Sequence, residues 1–170
     1  MAEKPEVWLR GPVDGFDPMV MPVVHSLLAA REEIEQLAAT VPEDRVWLSP
    51  GGAASVGFHV RHLGGALDRL FTYARGEALS DAQKAAARAE ASPGTPPPSL
   101  AAVVAEVNAQ IDAALDQLRA VRSGDLLQPR PVGRAALPST TLGLLFHAAE
   151  HCTRHAGQAI STARLLTAKS

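Results

Sequence analysis

Val23, Val24, Leu27, Leu28, Ile34, Leu37 and Ala38 recur at helical spacing, while Arg31, Glu32, Glu33 and Glu35 fill the other face. This pattern predicts an amphipathic helix of about five turns that ends near Thr40 and is stopped by Pro42. Ahead of it, Pro5, Gly11, Pro12, Gly15, Pro18 and Pro22 break any regular spacing, so residues 1–20 read as an extended lead-in. Residues 41–54 read as a loop. A second long helix is expected from Ser55, its N-cap, to Arg75, with Gly76 as C-cap. Its apolar stripe is Val56, Leu63, Leu67, Leu70, Phe71 and Ala74.

Gly64 and Gly65 lie in the middle of that stripe. Each costs roughly 1 kcal/mol against alanine in a helix. Two explanations offer themselves: close approach of another helix, or room beside His62. A short helix follows, in which Ser80 and Gln83 have capping-box spacing. Its expected end is near Ser92, at the linker SPGTPPPS. Ser99 then caps a third long helix running to about Val121, with Leu100, Val103, Val104, Val107, Ile111, Leu115 and Leu118 inward. Residues 122–138 are rich in proline and glycine and read as an irregular excursion, with a short strand expected over Val132–Leu137. A fourth long helix starts at Ser139 or Thr140 and runs nearly to the C-terminus. Four long helices imply an all-α fold, an antiparallel four-helix bundle forming one domain over residues 1–170. The long connection between the second and third lets those two run parallel, joined by a crossover.

Composition narrows the function. Apolar residues make up 46% of the 170 but aromatics only 4%, so the apolar mass is alanine, leucine and valine, which favours helix. The formal charge is −2, which gives no electrostatic footprint for nucleic acid or an anionic membrane. No apolar run is long enough to span a bilayer, and MAEKPEVWLRG lacks a signal core, so a cytoplasmic protein is expected. Cys152 is the single cysteine, which rules out an internal disulfide and a cysteine-rich metal site. No glycine-rich phosphate loop or nucleophile elbow is present.

The chemistry lies in the histidines. Five of the six fall in two clusters: His59 with His62, and His147, His151 and His155. Positions four apart on a helix are offset by about 40° and roughly 6 Å of rise, so His151 and His155 can aim two ring nitrogens at one point. His147 precedes them by one turn, and the two steps across the three rings drift by about 80° in total, too far for all three to reach one ion easily. His59 and His62, three apart, share a face, and either can supply a third imidazole from across the bundle. Three imidazoles leave coordination positions open, which is the arrangement of a catalytic rather than a structural site. They suit zinc, nickel, copper or iron. The alternative is a hydrogen-bonded polar core without metal.

Other residues have two readings each. Glu150 sits four before Arg154, so an ion pair competes with a catalytic role; its order relative to His151 is not that of the zinc proteases. Gln158 can orient a ligand, bind substrate or simply make a packing hydrogen bond. Arg69, seven after His62, can hold an anionic substrate group or pair with Asp68 at a surface or dimer contact. Cys152 and His25 read as ordinary packed residues.

The segments GFHVRHLGGALDRLFTYARGEAL and LLFHAAEHCTRHAGQAI, in this order, resemble the DinB/YfiT-like metalloenzymes, and the likeness runs from about residue 20 to 165. The resemblance implies an up-down-down-up bundle, often a homodimer, whose metal, commonly nickel or zinc, is held by one histidine of the second long helix and two of the fourth. By position these are His62, followed by Leu63 as in the family, and His151 and His155, the latter just ahead of Ala156, Gly157 and Gln158. His59 and His147 are additions, read as hydrogen-bonding partners of a ligand or as alternative ligands. The resemblance further implies a small-molecule substrate and a low-molecular-weight thiol cosubstrate. The expected function is therefore a metal-dependent enzyme, a thiol-dependent transferase or isomerase or a hydrolase. The alternative is a non-catalytic metal-binding bundle that serves stability, sensing or partner binding.

Overall fold

A computed structural model describes residues 4–168. Its helices begin where a hydroxyl can take up the free N–H groups of a first turn. Ser55 Oγ accepts from Phe58 N at 3.1 Å and starts α2 (Val56–Ala74). Ser80 and Gln83 form the expected capping box at α3 (Asp81–Ala89). Ser99 caps α4 (Leu100–Ala120) and Thr140 caps α5 (Thr141–Thr167). The remaining helix, α1 (Met21–Thr40), carries Pro22 in its first turn, where the missing N–H removes no hydrogen bond. Gly76 follows α2 with a φ of 80°, and its N–H bonds Tyr73 O at 2.8 Å, ending the helix.

Cross-helix contacts give the direction of every helix. His59 meets His155 and His62 meets His151, so α2 and α5 are antiparallel. Gly64 lies beside Val107, and Gln117 Nε2 donates to Phe71 O at 3.1 Å, so α2 and α4 are parallel. Arg31 bonds Asp112 and Asn108 bonds Glu35, so α1 and α4 are antiparallel. Val23 and Ser26 line one groove with Ala149 and Thr153, and Leu37 lines another with Ala163, so α1 and α5 are parallel. Both α1 and α2 pack on α4 and α5, which leaves α1 and α2 on one diagonal of the bundle. This is the up-down-down-up order. Parallel α2 and α4 require a connection that returns the length of α2, about 28 Å for its 19 residues. Residues 75–99 make that return, with α3 resting on α2 along the way.

The core is aliphatic. Leu27, Ile34, Leu63, Leu67, Leu100, Ile111, Leu118 and Leu145 all lose essentially their whole surface to it. Among the described residues no helix is long and apolar enough to cross a membrane.

Two expectations change. There is no strand among the described residues; Val132 and Leu137 form one isolated bridge, with N–H to O distances of 2.8 and 3.0 Å. Pro131 and Pro138 flank it, and neither has an N–H to extend a ladder. The short helix ends at Ala89 rather than near Ser92. Pro93 disfavours helix at Ser92, and Glu90, the residue after the helix, turns inward to 6% exposure.

The glycine pair has two causes, one for each residue. A Cβ on Gly64 would collide with the Gln110 side chain and lie 2.8 Å from Val107 Cγ2, so this glycine lets α4 approach α2. Replacing Gly64 by leucine is expected to lower stability by about 1–3 kcal/mol through overpacking, read as a reduced midpoint in urea unfolding with α-helical content retained before the transition.

Candidate metal centre

The face that α5 turns inward is built from small residues: Ala148, Ala149, Cys152, Ala156, Ala159 and Ala163 are all buried. Small side chains let two helices approach closely. They bring α2 near enough for imidazoles from the two helices to touch. His62 Nε2 lies 3.1 Å from His151 Nε2, and His59 Nδ1 lies 3.2 Å from His155 Nδ1. The ring centroids of His62 and His151 each lie 4.5 Å from that of His155. One ring nitrogen from each of His62, His151 and His155 falls within 4.8 Å of the other two, a grouping able to hold a metal ion.

The donor set fits a divalent transition metal. The two facing Nε2 atoms can share one hydrogen as donor and acceptor, and where both present lone pairs a cation between them takes both. His151 Nδ1 is buried without a partner, so this ring has no second hydrogen bond to prefer over a metal bond. All three imidazoles are half-buried, with 23% of the His62 side chain accessible. Among the described residues no fourth histidine, cysteine or carboxylate joins the group. A three-histidine set of this kind leaves a coordination position without a protein ligand.

At His151, His155 and His59, burial and neighbouring rings favour the neutral form that a metal requires. Desolvation, followed by the charges of His151, His62 and His59, pushes His155 down to about 4. His151 is lowered by desolvation and then by His62, and His59 by the same two causes. Phe58 stacks on His62, with centroids 5.3 Å apart and planes 12° from parallel, and covers one face of that ring.

The two additional histidines go to different places. His59 is 7% exposed and stands behind His155. His147 points outward; half of its side chain is accessible, and its Nδ1 lies 3.0 Å from Glu150 Oε1. Glu150 also accepts from Arg154 at 2.5 Å, which makes it part of an exposed ion-pair cluster. Gln158 lies exposed on α5, one turn beyond His155. His25 Nε2 bonds Gly11 O at 3.0 Å, and Cys152 is a buried core residue whose thiol is pushed up to about 12 by desolvation.

One residue of the site has no signal in its own stretch of sequence. Glu90 Oε2 lies 2.6 Å from His62 Nδ1, and the Arg69 guanidinium bonds Glu90 Oε1. Arg69 thus pairs with Glu90 rather than with its neighbour Asp68, which accepts from Gln83 Nε2 at 2.8 Å instead. Burial would raise the Glu90 carboxyl, but hydrogen bonds from His62 and Arg69 outweigh it and keep the group below its ordinary value. Gly65 is the trace of this arrangement: a Cβ there would collide with Glu90 Oε1 and lie 3.0 Å from Arg69 Nη1. On its far side Glu90 forms part of the wall of a cavity of about 440 Å³ between α2, α3 and α4.

The family model described as DinB superfamily matches residues 26–159, from α1 into α5, a span that includes all three clustered histidines. No curated protein matches the chain.

The depressed imidazoles make the metal-free fold acid-sensitive. An unfolded histidine titrates near 6.5, whereas folded His155 titrates at about 4. Between those values the unfolded chain binds more protons, so stability falls as pH falls through that window. With a chelator present, the urea midpoint is expected to drop between pH 7 and 4, and His155→Gln should flatten the drop. A variant with the same slope as the parent would show that His155 does not carry it.

Proposed function

We propose that this chain, which belongs to the DinB superfamily, is a metal-dependent enzyme with a divalent transition metal, zinc or nickel, held by His62, His151 and His155. The observation that carries this reading is the meeting of three imidazole nitrogens from α2 and α5 within 4.8 Å, on rings that remain half-buried. A bound ion supplies Lewis acidity and lowers the pKa of a water or thiol that reaches its open position.

The protein's own residues do the rest. Burial favours the neutral form of His151 and His155 and so keeps their lone pairs for the ion. Phe58 shields one face of His62 from water. Gln158, exposed on α5 one turn beyond His155, is the proposed contact for a small-molecule substrate. Arg69 is engaged by Glu90, so an anionic substrate group is not assigned to it. The reaction class, thiol-dependent transfer or isomerisation with a low-molecular-weight thiol, or hydrolysis, rests on analogy with the family and not on the site's geometry. The same reading includes a cytoplasmic homodimer, for which Phe146 and Leu165 of α5, 64% and 68% exposed, supply apolar surface.

A second reading rests on the site's position between two helices. An ion bound by both α2 and α5 ties them together, and a non-catalytic metal-stabilised bundle would use it for that alone. Chelation that lowers stability, with no turnover of any thiol or ester substrate, favours this second reading.

Elemental analysis of the purified protein is expected to show about one metal ion per chain. Replacement of His62, His151 and His155 together by alanine should remove it. Stoichiometric metal in that variant would defeat the assignment. Metal at 100 times its Kd should add about 2.7 kcal/mol to the stability of the parent and nothing to that of the variant.

A further inference from the structure

Glu90 has no part in the ligand set, yet it is buried more deeply than any ligand. Only 8% of its side chain is accessible. That burial does not come from helix packing, since α3 buries none of its residues from Asp81 to Ala89. The carboxylate is held from two directions instead. His62 Nδ1 lies 2.6 Å from Oε2, and the guanidinium of Arg69, whose side chain is 17% accessible, takes Oε1. Gly65 leaves the space that the carboxylate fills.

The chemistry of this contact has one outcome. An ionised carboxylate only accepts hydrogen bonds, so the hydrogen between Glu90 and His62 sits on His62 Nδ1. A neutral imidazole has one N–H, which leaves the lone pair on Nε2. Nε2 is the atom that faces His151, 3.1 Å away. We infer that Glu90 is the positioning residue of the metal centre: it holds His62 as the Nδ1–H tautomer and fixes the ring, with Arg69 fixing Glu90 in turn, so that Nε2 is presented to the ion. A carboxylate behind a ligating histidine raises its basicity and sets its orientation. This inference rests on the metal-centre reading above.

A merely structural pin between residue 90 and α2 would leave the tautomer of His62 untouched, so the tautomer is the quantity to read. In full-length, metal-free protein with 15N-labelled histidine, above the imidazole titration range, His62 should show Nδ1 protonated and Nε2 bare. Glu90→Ala combined with Arg69→Met removes both charges together and leaves no orphan guanidinium. In that variant His62 is expected to shift toward the Nε2–H form. Glu90→Gln, whose amide oxygen still accepts, should restore the parent tautomer. By chelator competition, Kd for zinc should rise about 10- to 100-fold in the double variant, and by less in Glu90→Gln. An unchanged His62 tautomer in the folded double variant, or parent-like zinc affinity, overturns the inference. A tautomer shift in the double variant, with a parent protein that binds no zinc, would instead sink the metal-centre reading and leave the positioning of His62 by Glu90 standing.

Discussion

The antiparallel seam between α2 and α5 is the constraint on which everything else depends. Along α5 the inward positions are alanine, cysteine and threonine over most of the helix, and along α2 the facing stripe includes Val60, Leu63 and Leu67. A seam of this kind is thin, and the register that its aliphatic residues impose is strict. Sliding α5 by one residue would turn each of its imidazoles by about 100° about the helix axis and break the meeting of His62 with His151 and of His59 with His155. The apolar packing therefore sets the geometry of the polar cluster. Histidines in such a seam carry a cost, since each buried ring nitrogen without a partner costs about 1–3 kcal/mol, and His151 Nδ1 is one.

What could be read from the sequence was what is local. The caps at Ser55, Ser80, Ser99 and Thr140 are decided within four residues, and the spacing of His151 and His155 puts both on one face whatever surrounds them. The parallel course of α2 and α4 was legible because a short link cannot return along the length of a helix and residues 75–99 can. The misjudged strand at Val132–Leu137 failed for a local reason as well, since its apolar ends lie between two prolines. His62 could be preferred over His59 only through resemblance. Both sit on the face of α2 turned toward α5, and it is the tertiary packing that puts His59 behind His155 and His62 beside both α5 histidines.

Glu90 was illegible because nothing local distinguishes it. It closes an alanine-rich segment, KAAARAE, in which any carboxylate would pass for a solvated helix residue. Its burial follows from where the crossover lays α3 against α2, a matter of chain path rather than pattern. The mark it left was in another helix, in the second glycine of the pair at 64 and 65. Two adjacent glycines invite one explanation, yet here Gly64 admits a neighbouring helix and Gly65 admits a carboxylate. Arg69 misleads in the same way: Asp68 is adjacent in sequence, but adjacent helical positions point about 100° apart, and the guanidinium finds its partner on another element.

Two of the clustered rings are contacted at Nδ1, and one of these is also covered on its face. Glu90 backs His62 through Nδ1, His59 backs His155 through Nδ1, and Phe58 lies flat against His62. A site meant to be closed would send a fourth side chain toward the convergence point, and among the described residues none joins the three. His151 alone has no support behind it, so its ring is held by α5 and by its neighbours in the cluster rather than by a hydrogen bond at Nδ1. Two rings are thus contacted at Nδ1, one on each helix, while His151 on α5 is not.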